Sequence, residues 1–155
     1  MKILFVCTGN ICRSAMADRY FVFLRKKIAK LKNIHASSAG IAAWGGAPAS
    51  PGAAEALATL GIDASGHKAT QITRGLLEEQ DLILTMTQQH KAYILREFAE
   101  VAPQKVATLL EYALHSADDI DDPFGKDDAE YLICFRQICA AIDAALPRLQ
   151  QEANS

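Results

Sequence analysis

Two short stretches of this 155-residue chain carry side chains that can do chemistry together. The first is Cys7-Thr8-Gly9-Asn10-Ile11-Cys12-Arg13-Ser14, a C-x5-R-S run that follows the apolar Ile3-Leu4-Phe5-Val6 without a break. A loop joining a strand to a helix can turn its backbone N–H groups inward and so form a concave anion site. A helix opening near Arg13 adds unpaired N–H donors and the positive end of its dipole. Arg13 offers a planar fork that matches two oxygens of a tetrahedral oxyanion. A cysteine at the floor of that cup is expected as the thiolate, a nucleophile aimed at phosphorus. Gly9 and Asn10 are residue types that readily take positive φ, which a loop curling around an anion needs. The second stretch is Asp118-Asp119-Ile120-Asp121-Asp122-Pro123-Phe124-Gly125. Alone it reads as a polar turn. Beside the first it can supply the carboxylic acid that protonates a departing alkoxide or phenolate, with Asp121 and Asp122 as the two candidates.

These residues need a rigid frame, and the hydrophobic pattern provides one. Strands are predicted over Ile3 to Val6, Ile34 to Ala39, Asp81 to Met86 and Lys105 to Leu109, the third apolar enough to be central in a parallel sheet. A helix is predicted from about Arg13 to Lys30, with Ala17, Tyr20, Phe21, Leu24, Ile28 and Leu31 on one face. Ser50-Pro51 is a strong helix start and Gly61 a stop. Further helices are expected over Thr73 to Gln80, Gln88 to Ala99 and Asp127 to Gln150. The last carries the stripe Leu132, Phe135, Cys139, Ile142, Leu146 and Leu149, and Pro147 suggests a kink or fraying near its end. Alternating strands and helices imply an α/β sandwich, with ligands beyond the strand C-termini at a switch point. The loop from Gly40 to Ser50 holds the only tryptophan, Trp44, readable as a core plug or as the wall of a ligand site. His67 has no metal-ligand partner at i+3 or i+4 and reads by itself as a surface or half-buried histidine.

Bulk properties exclude several classes. The length fits one domain spanning 1–155. A net charge of −2 gives no support to nucleic acid or an anionic membrane as a partner. No apolar run approaches the ~20 residues that span a bilayer, and the N-terminal residues run straight into the first motif, so a cytoplasmic location is expected. The four cysteines, Cys7, Cys12, Cys134 and Cys139, are expected as reduced thiols.

The run V-C-T-G-N-I-C-R-S resembles the signature of the low-molecular-weight protein tyrosine phosphatases. The likeness extends to Ser38-Ala39-Gly40 followed by Trp44, to H-K-A-x-Q-I at His67 and to D-P-F at Asp122. It implies a three-layer, flavodoxin-like fold with a four-stranded parallel sheet in the order 2-1-3-4. It implies hydrolysis of protein phosphotyrosine and small aryl phosphates through a phosphocysteine on Cys7, with Arg13 binding the phosphoryl group and Asp122 as general acid and base. Thr8, Gly9, Asn10, Ile11, Cys12 and Ser14 would complete the phosphate loop. Ser38 and His67 would support it, His67 by bonding to Asn10. Trp44 and Phe124 would form the walls of the substrate cleft, and Ser14 would stabilise Cys7 as a leaving group. The resemblance also implies a reversible Cys7–Cys12 disulfide that protects the nucleophile; the plainer alternative is that Cys12 is a small packed residue. No metal or cofactor is expected. The partners expected are tyrosine-phosphorylated proteins and inorganic phosphate, with the chain a monomer or weak homodimer. The sequence departs from the family pattern in having Ala15 where Pro is usual, Thr87 where Asp is frequent, and Phe124-Gly125 where animal members carry two tyrosines.

Two enzymes on the same fold are rivals. A thioredoxin-coupled arsenate reductase needs further cysteines some seventy to eighty residues on, and Asp81 to Gln89 has none. Protein arginine phosphatases resemble the chain but carry Thr where Ile11 stands, and apolar Ile11 favours an aryl phosphate. A non-catalytic phosphopeptide binder would need neither the thiol nor the acid.

Overall fold

The computed structural model describes residues 1–155. Strand β1 (Lys2–Cys7) lies centrally, with β2 (His35–Gly40) on one side and β3 (Leu82–Thr85) on the other; β4 (Val106–Thr108) completes the sheet beyond β3. The order is β2-β1-β3-β4 and every pairing is parallel. This is the order that the resemblance implies. Because side chains alternate along a strand, Ile3, Phe5 and Cys7 join one core, and Leu4 and Val6 the other.

The first core is covered by α1 (Arg13–Lys27), α2 (Pro51–Ala58), α5 (Leu109–Leu114) and α6 (Asp128–Ala153). The second is covered by α3 (Arg74–Glu78) and α4 (Gln88–Glu97). The result is three layers, with the sheet in the middle. No helix is long and apolar enough to cross a membrane.

Several elements differ in extent from their sequence patterns. Helix α1 ends at Lys27 rather than Lys30. The β-branched Ile28 is extended (φ −114°, ψ 104°), and a 3₁₀ turn at Ala29–Leu31 drops Leu31 fully into the core. Strand β4 stops at Thr108 rather than Leu109, because Thr108 caps a helix that hydrophobicity alone did not reveal. Its hydroxyl accepts from Glu111 N at 3.0 Å, and α5 then runs until His115 turns left-handed at φ 53°. Helix α6 buries Tyr131, Cys134, Phe135, Ile138, Ala141, Ile142, Ala145 and Leu149, whereas Leu132, Cys139 and Leu146 are only half-buried. Small Ala141 and Ala145 were unmarked in the stripe, yet they sit among its buried positions. Pro147 is exposed inside α6, which continues to Ala153. A missing N–H leaves a carbonyl that water can satisfy on that face.

Candidate active site

The Cys7–Ser14 loop lies at the C-terminal end of β1, beside the crevice where neighbouring strands run to opposite sides. Cys7 is 2% exposed, and its Sγ lies 2.9 Å from Ser14 Oγ. Asn10 Nδ2 donates to that same Ser14 oxygen at 2.8 Å. Ser14 therefore accepts from the amide and keeps its own proton for the sulfur, its only other acceptor being the Ala39 carbonyl at 3.5 Å.

Asn10 holds the loop's shape. It is fully buried with φ 57°, the only loop residue in the left-handed region. Gly9, expected from its residue type to share that role, does not: its φ is not positive, and a Cβ there would meet nothing closer than Ile11 Cγ1 at 3.8 Å. Asn10 alone reverses the chain because three neighbours fix it. His67 Nε2 donates to its carbonyl at 2.6 Å, Thr70 N donates to its Oδ1 at 2.9 Å, and Ser14 takes its amide proton. A carbonyl only accepts, so His67 carries its proton on Nε2. Gly40 lies under the loop with no room for a side chain: a Cβ would stand 2.5 Å from the Thr8 carbonyl.

The loop leads into α1, whose N-terminus no side chain caps. Helices α2 to α6 are each capped by a side chain, from Ser50, Thr73, Thr87, Thr108 and Asp127. The uncapped end adds unpaired donors and a positive field to the loop. Arg13 is 4% exposed and is pinned at Nη1 by the Ile120 carbonyl at 2.9 Å. Its Nε is buried without a partner, and its Nη2 meets only Asp122 Oδ2 at 3.5 Å. The Nε–Nη2 edge is the side of a guanidinium that grips two oxygens of one oxyanion.

A cavity of about 190 Å³ joins these parts. It is lined by Cys7, Thr8, Gly9, Ile11, Cys12, Arg13, Asp122 and Phe124. Asp122 is half-exposed and accepts from Phe124 N at 3.1 Å, so the turn itself holds the carboxylate. Asp121 does not reach this cavity. It lines a separate groove with Cys134, whose thiol lies 3.7 Å from the Asp121 carbonyl.

Two residues, Ser38 and Trp44, stand differently from their expected places. The Ser38 hydroxyl makes no hydrogen bond to the loop and donates instead to Asp18 on α1 at 2.9 Å, while the loop's Ser14 reaches the neighbouring Ala39 carbonyl of the strand at 3.5 Å. Asp18 is buried, which raises its carboxyl above the ordinary range against the opposing pull of Arg19 and Ser38. Trp44 is 85% exposed and does not line the cavity, which also excludes a core plug. Its loop is tied to the site by Ala42 N donating to Thr8 O at 2.9 Å, and it holds the indole out in solvent. Phe124 does line the cavity, at 64% exposure. Cys12 is buried, with Ser50 Oγ at 3.2 Å and Tyr131 OH at 3.3 Å from its sulfur; burial raises its pKa. All four cysteines are free thiols.

His90 was not anticipated. It is 3% exposed on the first turn of α4, and its Nε2 lies 2.9 Å from Thr8 Oγ1. Burial, then the Arg13 guanidinium, push its pKa down to about 4. The contact spans 82 residues of chain, and no local pattern marks it. No three His, Cys, Asp or Glu side chains come together as a metal would require.

A parallel sheet that ends a central strand on a buried cysteine, at the head of a loop closed by a buried arginine, sets a thiol at the floor of a concave cavity. The chain belongs to the low molecular weight phosphotyrosine protein phosphatase family, whose family model matches residues 2–155. It is 44% identical over 127 residues to a protein-arginine-phosphatase of Bacillus subtilis, covering 81% of each chain. It is 38% identical over 148 residues to the probable low molecular weight protein-tyrosine-phosphatase EpsP of Ralstonia solanacearum, covering 96% of this chain and 95% of that one. Among solved structures, it matches the YwlE arginine phosphatase, a cysteine-to-serine mutant with a phosphorylated active-site serine, at TM-score 0.92 and 35% identity; 97% of this chain and 96% of that chain are covered.

Proposed function

We propose that this phosphatase hydrolyses phosphotyrosine on proteins, and small aryl phosphates, through a phosphocysteine on Cys7. The observation that carries the reading is the Cys7–Ser14–Asn10 chain at the floor of the cavity. Thiolate Cys7 attacks phosphorus in line; the S–P bond forms as the bond to the leaving oxygen breaks. Loop amides and the Nε–Nη2 edge of Arg13 hold the equatorial oxygens through the transition state. Asp122 gives its proton to the departing oxygen. Water then attacks phosphorus, Asp122 takes its proton, and the sulfur leaves as a thiolate stabilised by the Ser14 hydroxyl. The positive field comes from loop, helix end and arginine, so no step calls for a metal.

Substrate choice rests on Ile11. It lines the cavity and offers only carbon to a leaving group, which suits an aromatic ring. A second reading, phosphoarginine, is favoured by the likeness to relatives named as arginine phosphatases. Against it, Ile11 has no polar atom to meet a guanidinium. The whole chain is taken to act as one catalytic domain on phosphorylated proteins of the cytoplasm, as a monomer or weak homodimer, with inorganic phosphate as product and competing ligand. Cys12 is taken to form a reversible disulfide with Cys7 under peroxide. The test compares phosphotyrosine, phosphoserine and phosphoarginine peptides, with and without chelator, and with arsenate as a competing ligand. Chelator-resistant turnover that is fastest on phosphotyrosine supports the reading; preferential turnover of phosphoarginine overturns the substrate assignment and leaves the mechanism standing.

A further inference from the structure

The mechanism makes no use of the buried imidazole of His90 or of the hydroxyl it touches. His90 Nε2 lies 2.9 Å from Thr8 Oγ1, while its Nδ1 is buried with no hydrogen-bond partner. A neutral imidazole has one N–H and one lone pair. Buried N–H groups without an acceptor are rarer in proteins than acceptors left unpaired. The tautomer that leaves Nδ1 as the bare lone pair is therefore the stable one, and Nε2 carries the hydrogen. Nε2–H then donates to Thr8, whose hydroxyl accepts at that position. Its own proton is then free for an acceptor other than the ring. The low pKa of the ring, about 4, keeps this arrangement neutral at physiological pH.

Thr8 stands at the edge of the cup. Cys7 is buried at the cavity floor, whereas Thr8, the next residue, is exposed at its mouth. Thr8 also borders a second cavity of about 350 Å³, lined by Ile41, His90, Tyr93 and Arg96 among others. It thus stands on the ridge between the phosphoryl cup and the groove beside it. A phosphoryl group on Cys7 lies below this ridge, and the polypeptide bearing it must cross the rim. The acceptor that every polypeptide carries across such a rim is a backbone carbonyl, which the Thr8 hydroxyl is placed to meet.

We propose that His90 is a positioning residue that presents the Thr8 hydroxyl to a backbone carbonyl of the phosphorylated polypeptide, favouring polypeptides over small aryl phosphates. This rests on the reading of the site as one acting on phosphorylated polypeptides. The measure is the ratio of kcat/KM for a phosphotyrosyl peptide extended on both sides to kcat/KM for para-nitrophenyl phosphate. One neutral hydrogen bond corresponds to a fall in that ratio of about fivefold, expressed in KM for the peptide. His90→Ala and Thr8→Val should each lower it by this factor, and the double variant should lower it no further, because the two act through one contact. His90→Gln, which can place an amide N–H near Nε2, should restore most of it. Additive losses in the double variant, or a ratio unchanged in Thr8→Val, overturn the inference. Far-UV circular dichroism and urea unfolding show that each variant has folded. A wild-type protein active on the aryl phosphate but on no phosphorylated peptide overturns the polypeptide reading itself, and this inference with it.

Discussion

Replacing His90 with Gln should alter how stability depends on pH by an amount the structure sets. The ring is 3% exposed, and burial, reinforced by Arg13 and opposed by Asp119 and Asp122, lowers its pKa from the ordinary 6.5 to about 4. The unfolded chain therefore takes up a proton near pH 6.5, and the folded chain only near pH 4. Between those values the unfolded state binds more protons, so stability falls as pH falls. The gap, at about 1.4 kcal/mol per pH unit, amounts to about 3 kcal/mol of stability lost between pH 7 and pH 4. Below pH 4 both states are protonated and this contribution levels off. Gln does not titrate, so the variant should lack this part of the decline. Urea unfolding at pH 7, 5.5 and 4 on both proteins measures it, and the change in their difference cancels carboxylates common to both, Asp18 included. Parallel curves across the window would refute the neutral, buried His90 and the hydrogen-bond assignment built on it.

Gly40→Ala puts a methyl group 2.5 Å from the Thr8 carbonyl, on backbone that cannot yield cheaply; it should cost about 1–3 kcal/mol in denaturant unfolding and reduce phosphate affinity, since the loop must move. Asp122→Ala should slow esters with poor leaving groups by about 10²–10⁴-fold and those with good leaving groups far less, whereas Asp121→Ala, outside the cavity, should not show that pattern in steady-state rates. Mild peroxide should join Cys7 to Cys12, as seen by peptide mass spectrometry after alkylation; a Cys7 sulfinic acid with Cys12 still reduced would count against that pairing.

The loop was legible because its parts are local. Cys7, Arg13 and Ser14 lie within eight residues, and their spacing fixes a strand–loop–helix geometry. The sheet was legible from the apolar runs of β1 and β3 and from strands alternating with helices, although its order came from family likeness. What escaped notice depends on contacts between distant segments. His90 meets Thr8 across 82 residues, and Ser38 turns to Asp18 because α1 packs over β2. Helix α5 was hidden for the opposite reason: its Thr108-x-x-Glu111 cap is a local signal, masked by a leucine pair that also suits a strand. Trp44 shows the limit of residue type, since an aromatic in a ligand-site loop can equally be held away from the cavity, as it is here.

Catalysis in this site depends on sulfur carrying the phosphoryl group, and rapid quench in alkaline denaturant followed by intact mass and peptide mapping tests this most directly. With para-nitrophenyl phosphate in excess, a substantial fraction of the protein should carry one phosphoryl group within the first turnover, and it should map to Cys7. Phenol release at the full catalytic rate with no phosphoryl group on Cys7 at any quench time would contradict the account.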